Sequence, residues 1–154
     1  MKTIFLNTAQ DTENIAAELA SLIEAPANIY LEGQLGAGKT TFVKGFLRGC
    51  GYEGLVKSPT YTLVETYPVN DAVILHADLY RIKDPHELEI MGFRDYFNAN
   101  TIALIEWASY AHDWLPKSLL LCTLKMSENG EGRVLEIEVC SPLTEQLRDW
   151  YQDL

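Results

Sequence analysis

Residues 31–41, Leu-Glu-Gly-Gln-Leu-Gly-Ala-Gly-Lys-Thr-Thr, contain the side chains best suited to bind a phosphate group. Four positions have the spacing G-x-x-x-x-G-K-[ST] of a phosphate-binding loop: Gly33, Gly38, Lys39 and Thr40. Glycines let the backbone turn sharply and approach a ligand closely. Its amide groups can then face phosphate oxygens, assisted by the positive end of the following helix. We expect Lys39 to reach the β- and γ-phosphates and the Thr40 hydroxyl to bind Mg²⁺. The stretch therefore predicts nucleotide binding.

A phosphate loop of this kind needs an acid on a neighbouring strand to hold the metal, directly or through water. Two mainly apolar segments end in such an acid: 73–77 precedes Asp78, and 102–105 precedes Glu106. Either pattern is common by itself and gains weight only beside the loop. We expect Glu106 to bind the metal, because its strand is the more uniformly apolar. Asp78 is expected to support it or to orient an attacking water, although the sequence does not decide between Asp78 and Glu106 for the water.

The segment 57–62, Lys-Ser-Pro-Thr-Tyr-Thr, follows the loop helix where nucleotide hydrolases have switch I. A hydroxyl there, such as that of Thr60, can contact the γ-phosphate or its metal. A strand that is rich in serine and threonine explains the same residues equally well, so both interpretations stay open. His76 is expected to be a hydrogen-bonded structural histidine, because no cysteine or serine partner suggests catalysis. Arg81 could form an ion pair with Asp78 or approach the phosphates, and Trp107 fits packing and function equally.

Apolar patterning predicts the elements that must position these residues. Strands are predicted at 2–6, 28–31, 61–67, 72–76, 101–106, 119–125 and 133–140. Helices are predicted at 11–24 (capped by Thr8 or Asp11), 39–49, 85–91 and from Ser141 onward, with a short turn or helix near 94–97. Turns at 68–71 and 127–132 predict two antiparallel hairpins. Together these elements predict one α/β domain over 1–154, with a P-loop NTPase-like mixed, mainly parallel sheet that helices flank.

Composition excludes several classes of protein. The chain has 154 residues and a formal charge of −10, which argues against a large direct interface with nucleic acid. No apolar run is long enough to span a membrane, and the first residues lack the pattern of a signal peptide. The three scattered cysteines favour reduced thiols in a cytoplasmic protein over disulfides or a zinc site.

Four further blocks, in order along the chain, resemble the TsaE family (formerly YjeE) of small bacterial ATPases. They are 57–64 (K-S-P-T-Y-T-L-V), 76–81 (H-A-D-L-Y-R), 87–96 (E-L-E-I-M-G-F-R-D-Y) and 105–107 (I-E-W). The order and spacing of loop and blocks match over about 8–116. Gln34 departs from the aspartate that is common in the family, and the last hairpin matches only in pattern. Neither departure affects an expected phosphate or metal contact.

The resemblance implies an Mg²⁺-dependent ATPase in tRNA threonylcarbamoyladenosine synthesis. Its partners would be TsaB and TsaD, which transfer threonylcarbamoyl to adenosine 37 of ANN-decoding tRNAs, so this chain would meet tRNA only through them. The resemblance places Lys39, Asp78 and Glu106 in catalysis, and Thr40 and Glu106 on Mg²⁺. Beyond Lys39 and Thr40, the implied ATP contacts are Gly33, Leu35, Gly36, Ala37, Gly38, Thr41, Thr60 and, near the adenine, Thr8 and Thr12.

Two other functions are consistent with the same residues: a small-molecule kinase, and a nucleotide-gated binding module whose hydrolysis is incidental. The chain lacks the N-K-x-D segment of guanine-specific GTPases and the L-S-G-G-Q segment of transporter ATPases. Its five scattered arginines suggest neither a kinase lid nor an arginine finger. We therefore expect slow hydrolysis by the chain alone, with stimulation by a partner that supplies or orders the missing groups.

Overall fold

A single mixed sheet of seven strands organises the computed structural model, which describes residues 1–154. The strands are β1 (Lys2–Leu6), β2 (Ala27–Glu32), β3 (Val64–Val69), β4 (Ala72–Asp78), β5 (Thr101–Glu106), β6 (Leu120–Met126) and β7 (Arg133–Val139). Their order is β1-β7-β6-β2-β5-β4-β3. The central strands β6, β2, β5 and β4 are parallel, whereas β1, β7 and β3 pair antiparallel with their neighbours. The predicted mixed sheet with two hairpins is confirmed.

Helices cover both faces of this sheet. They are α1 (Ala9–Leu22), α2 (Lys39–Gly49), α3 (His86–Ile90) and α4 (Glu145–Asp153), together with 3₁₀ helices at Phe93–Tyr96 and Ala108–Trp114. The helices α1, α2 and α4 pack on one face, and α3 with the 3₁₀ helices packs on the other. Strand β5 shows why both faces need cover, because Ile102 and Leu104 join one core while Ala103 and Ile105 join the other. None of the helices combines the length and the apolar character that crossing a membrane requires.

The parallel pairing brings three strand ends to the same edge of the sheet. Glu106 at the end of β5 lies opposite Leu31 of β2 on one side and opposite Asp78 of β4 on the other. The loop that starts at Gly33 leaves β2 from this edge and leads into α2. In open α/β sheets, ligands bind beyond the carboxyl ends of the strands. The register therefore places both acids beside the phosphate loop.

The predicted boundaries of β3 and its turn are wrong by a few residues. Residues 60–62 form a turn, and Leu63 has a left-handed φ of +67°, so β3 begins at Val64 and not at 61. At its other end, Pro68 stays inside the strand instead of opening the turn. An edge strand tolerates proline because its outer side needs no N–H donor. The turn itself is Asn70–Asp71, with Asn70 at φ +52°.

The ends of α1 and α4 depend on caps that the sequence contains. Thr8 caps α1: its Oγ1 accepts a hydrogen bond from the Asp11 amide at 3.1 Å, and the Asp11 carboxylate accepts one from the Thr8 amide at 3.0 Å. The predicted start of the last helix at Ser141 is wrong, because Thr144 is the cap and α4 begins at Glu145.

The 3₁₀ helix Ala108–Trp114, which follows β5, was not predicted from the sequence.

Two glycines of α2 allow α1 to approach closely. A Cβ at Gly45 would lie 2.3 Å from the Glu13 carbonyl oxygen, and one at Gly49 would lie 2.5 Å from that of Ala17. Both obstacles are backbone atoms of α1, which cannot move aside as a flexible side chain would. The contact fixes α2, and with it the end of the phosphate loop, against the rest of the fold.

We expect Gly45→Ala to destabilise the fold by about 2 kcal/mol, since overpacking costs about 3 kcal/mol against backbone and the higher helix propensity of alanine returns about 1 kcal/mol. Urea unfolding of parent and variant measures the difference. Lys44→Ala, which replaces an exposed residue of the same helix, should change the free energy of unfolding by no more than about 0.5 kcal/mol. Unchanged stability of Gly45→Ala would mean that α1 and α2 are not in this close contact.

Candidate functional site

The loop between β2 and α2 has the backbone of a phosphate cradle. Gly33, Gly36 and Gly38 have φ values of +144°, +81° and +106°, a region that residues with a Cβ rarely adopt. Gly33 also lacks room for a side chain, because a Cβ there would lie 2.4 Å from the Leu124 carbonyl oxygen of β6. The positive φ values explain the glycine at all three positions, and the lack of room adds a second reason at Gly33.

Lys39, the first residue of α2, is folded back into its own loop. Its side chain is 6% exposed. Nζ donates hydrogen bonds to the carbonyl oxygens of Gly33 and, at 3.3 Å, of Gln34. It also lies 4.7 Å from the centre of the Trp107 ring and 4.0 Å from Oε1 of Glu106. The ammonium group is thus held where the loop, β2 and β5 meet.

The two acids expected from the sequence lie side by side at the same edge. Glu106 and Asp78 are 5% and 9% exposed, and Oδ1 of Asp78 accepts a hydrogen bond from the Tyr80 amide at 3.0 Å. Burial raises the pKa of the Asp78 carboxyl above its ordinary value, and the nearby negative charge of Glu106 also raises it. A carboxyl with a raised pKa is better able to accept a proton near neutral pH.

His76 is the partner of Glu106. It is 1% exposed, and its Nε2 lies 2.6 Å from Oε2 of Glu106. The expectation of a hydrogen-bonded histidine is confirmed, although nothing in the sequence indicated which group it would contact. Arg81 forms no ion pair with Asp78. Its guanidinium carbon lies 4.6 Å from the centre of the Tyr61 ring instead.

A cleft of about 290 Å³ lies above the loop and gathers most of the predicted site. The predicted residues that line it are Leu35, Gly36, Gly38, Lys39, Thr40, Thr41, Thr60, Asp78 and Glu106. Gly33 and Ala37 belong to the loop but not to the lining. Thr60 reaches the cleft together with Ser58, whose hydroxyl lies 2.7 Å from that of Thr60.

Thr8 and Thr12 do not line this cleft. Thr8 is the exposed cap of α1, and Thr12 is a buried residue of the same helix. Their expected position near the adenine stays a prediction.

Arg133 is a cleft residue that sequence reasoning missed. It starts β7, and its guanidinium donates hydrogen bonds to the carbonyl oxygens of Gly36 and Ala37, each at 3.1 Å. The loop must turn its amide groups inward to bind a phosphate, so its carbonyl groups need other partners. Arg133 supplies these and adds a positive charge at the rim. The pairing of β7 with β6 and β1 brings it there, and no local sequence signal reveals that contact.

The oxygen atoms of the cleft are of the kind that could bind a magnesium ion together with other ligands. No group of three or more His, Cys, Asp or Glu side chains is placed to hold a metal unaided. The cleft does offer a hydroxyl from Thr40 and carboxylates from Asp78 and Glu106. Mg²⁺ prefers such oxygen ligands and commonly combines one or two carboxylates with phosphate oxygens and water.

The sheet order, the glycine-rich loop after β2 and the acids at neighbouring strand ends define a protein with a P-loop NTPase-like fold. The family model described as "Threonylcarbamoyl adenosine biosynthesis protein TsaE" matches residues 6–135. The chain therefore belongs to the TsaE family.

Individual relatives agree with this assignment. The tRNA threonylcarbamoyladenosine biosynthesis protein TsaE of Haemophilus influenzae is 54% identical over 104 residues, which are 68% of this chain and 66% of that protein. Its counterpart from Bacillus subtilis is 38% identical over 87% of this chain and 85% of its own length. The crystal structure of YdiB from Bacillus subtilis superposes with a TM-score of 0.81 at 28% identity, covering 99% of this chain and 94% of that one. Sequence and fold thus support the same family.

The raised pKa of Asp78 predicts a pH-dependent effect on stability. A carboxyl that binds its proton more tightly in the folded chain than in the unfolded chain destabilises the fold when it ionises. This cost grows as pH rises above the ordinary value of 3.8. We expect Asp78→Asn to raise the melting temperature at about pH 8 and the gain to vanish toward about pH 4.

Thermal unfolding of parent and variant across this pH range measures the effect. Asp71→Asn, which changes an exposed aspartate in the β3–β4 turn, is the matched control and should have little effect at any pH. A lower melting temperature for Asp78→Asn at pH 8, or a gain that grows in acid, would contradict the expectation.

Proposed function

We propose that the chain binds ATP together with Mg²⁺ in the cleft above residues 33–41 and hydrolyses it. The observation that carries the proposal is the meeting of Lys39, Thr40, Asp78 and Glu106 in one cleft beside a loop whose glycines have positive φ. A cation, a hydroxyl, two acids and inward-facing amide groups are the parts that phosphoryl transfer requires in P-loop proteins.

Binding would rest mainly on the loop. Its amide groups and the start of α2 attract the phosphates, because the N-terminal end of a helix carries partial positive charge. Lys39 would leave the carbonyl groups of Gly33 and Gln34 for the β- and γ-phosphates. Thr40 and Glu106 would hold the metal. Arg133 would keep the tip of the loop in its binding shape through the carbonyl groups of Gly36 and Ala37.

Hydrolysis would need a group that orients water toward the γ-phosphate. Asp78 suits this role, because its raised pKa and its place beside Glu106 let it accept a hydrogen bond or a proton from that water. Bound Mg²⁺ would neutralise charge on the transferring phosphoryl group. Thr60, held by Ser58 at the mouth of the cleft, would contact the γ-phosphate, so the order of its loop would depend on the nucleotide.

We further propose that this activity serves tRNA threonylcarbamoyladenosine synthesis in the cytoplasm, by acting on a complex of TsaB and TsaD. Membership in the TsaE family supports the process, and the relatives from Haemophilus and Bacillus are named for it. A charge of −10 disfavours direct contact with tRNA, so the partners would provide the surface for tRNA. In this proposal TsaB and TsaD carry out the threonylcarbamoyl transfer, and the chain contributes only its ATP cycle.

Lys39→Ala tests the binding site. The change removes the only loop cation expected on the phosphates, and charged hydrogen bonds contribute about 1.5–3 kcal/mol, so ATP affinity should fall roughly tenfold to hundredfold. Isothermal titration calorimetry of parent and variant measures this. Lys44→Ala, on the same helix but exposed and outside the cleft, should bind ATP like the parent. Unchanged ATP affinity in Lys39→Ala would overturn the proposed site.

Glu106→Gln separates hydrolysis from binding. We expect this variant to bind ATP but to hydrolyse it at least about 100-fold more slowly, because the amide is a poorer ligand for Mg²⁺. Hydrolysis is assayed with and without purified TsaB and TsaD, which should stimulate the parent.

Full support of tRNA modification by Glu106→Gln would favour a nucleotide-gated binding module. Phosphorylated nucleosides or sugars in a product screen would favour a small-molecule kinase.

A further inference from the structure

His76 stands out among the groups near the cleft that the proposed function does not use. It is the least exposed of the buried polar side chains, at 1%. In the pairing of β4 with β5, His76 lies opposite Leu104, whereas Asp78 lies opposite Glu106. The imidazole therefore reaches along the face of the sheet toward the end of β5, where its Nε2 lies 2.6 Å from Oε2 of Glu106.

The two ring nitrogens of His76 have unequal surroundings. A carboxylate oxygen only accepts hydrogen bonds, so Nε2 carries the proton of the contact with Glu106. Nδ1 is buried and has no hydrogen-bond partner in the protein. Buried polar atoms are almost always paired, and an apolar residue at this position would avoid the unpaired Nδ1 but would remove the partner of Glu106 Oε2. The bond from Nε2 to Glu106 is the interaction that explains a histidine here.

This hydrogen bond gives the two oxygens of the Glu106 carboxylate different partners. The terminal torsion of a glutamate is broad, so an unrestrained carboxylate would sample many orientations. His76 engages Oε2, and Oε1 is left 4.0 Å from Nζ of Lys39. The oxygen that faces the lysine and the loop is therefore fixed by a contact made on the opposite side of the same carboxylate.

We propose that His76 is a positioning residue: it holds Oε2 of Glu106 so that Oε1 is presented to nucleotide-bound Mg²⁺. The inference rests on the proposed function, because it assumes that Glu106 is a metal ligand. Hydrogen bonds from outer residues orient metal ligands in this way, and their loss lowers metal affinity or activity about 10–100-fold. His76 acts only through Glu106 and touches neither nucleotide nor water in this scheme.

Two polar substitutions test the inference. The side-chain amide nitrogen of His76→Gln extends about as far as Nε2 and can still donate to Glu106, whereas that of His76→Asn is one carbon shorter and falls short. For each protein, ADP affinity is measured by titration calorimetry in excess Mg²⁺ and in EDTA. The ratio of the ADP affinity in Mg²⁺ to the ADP affinity in EDTA is the gain in affinity that Mg²⁺ provides. His86→Asn, at an exposed histidine that pairs with Glu89, is the matched control.

We expect His76→Gln and His86→Asn to keep the gain, and His76→Asn to lose about 10–100-fold of it. ADP affinity in EDTA should be the same in all of them, a readout that general damage to the fold would change. Equal gains in His76→Gln, His76→Asn and the parent would overturn the role of His76 alone. Absence of any gain in the parent would instead overturn the proposed magnesium site.

A measurement on the parent protein also tests the inference, and its outcome does not depend on whether a variant folds. Nitrogen NMR of the ring should show a proton on Nε2 and none on Nδ1, with the Nε2 signal shifting when Mg²⁺ is added to the ADP complex. A proton on Nδ1 with none on Nε2, or an Nε2 signal indifferent to Mg²⁺, would overturn the inference.

Discussion

The site depends on a lysine whose charge is buried inside the loop that it must serve. An ammonium group removed from water needs charged or hydrogen-bonding partners, because its desolvation is otherwise very costly. Lys39 finds them in two carbonyl groups of its loop, in the face of the Trp107 ring and in the nearby Glu106. A phosphate that enters the cleft offers stronger partners. The contacts that offset the cost of burying Lys39 thus hold its charge where an anion can meet it.

The rest of the fold maintains this arrangement from three directions. Parallel pairing aligns the ends of β2, β4 and β5, so that Asp78 and Glu106 are adjacent. The close approach of α1 to α2 at Gly45 fixes the helix that carries Lys39. On the far side, the β6–β7 hairpin packs against Gly33 and supplies Arg133. These contacts involve backbone atoms and the half-buried Arg133 side chain, and together they restrict the shape of the loop.

Much of the fold could be predicted because local rules and tertiary packing agree. The glycine spacing of the loop, the apolar runs before Asp78 and Glu106, and the Thr8 cap each have a local cause, and the structure has each element where it was expected. The start of β3 was predicted too early because alternation in the sequence cannot reveal the positive φ of Leu63. The last helix was placed too early because Pro142 and Thr144 both mark helix starts.

Within the site, the sequence indicated residue types but not most of their contacts. The roles of Arg133 and His76 come from strand pairings between distant segments, which periodicity does not encode. The sequence suggested no arginine finger and offered only Arg81 as an arginine near the phosphates, whereas the structure places Arg133 at the rim of the loop. Recognition of the family came from short blocks around 57–64 and 76–81, whose residues lie at the mouth of the cleft or behind it.

The central claim is that Lys39 exchanges its carbonyl partners for phosphate, and a crystal structure with ADP and Mg²⁺ tests it most directly. The account predicts that Nζ of Lys39 leaves the carbonyl oxygens of Gly33 and Gln34 and contacts the β-phosphate, with Thr40 on the metal. A nucleotide bound elsewhere, or one in the cleft while Nζ keeps both carbonyl contacts, would contradict it.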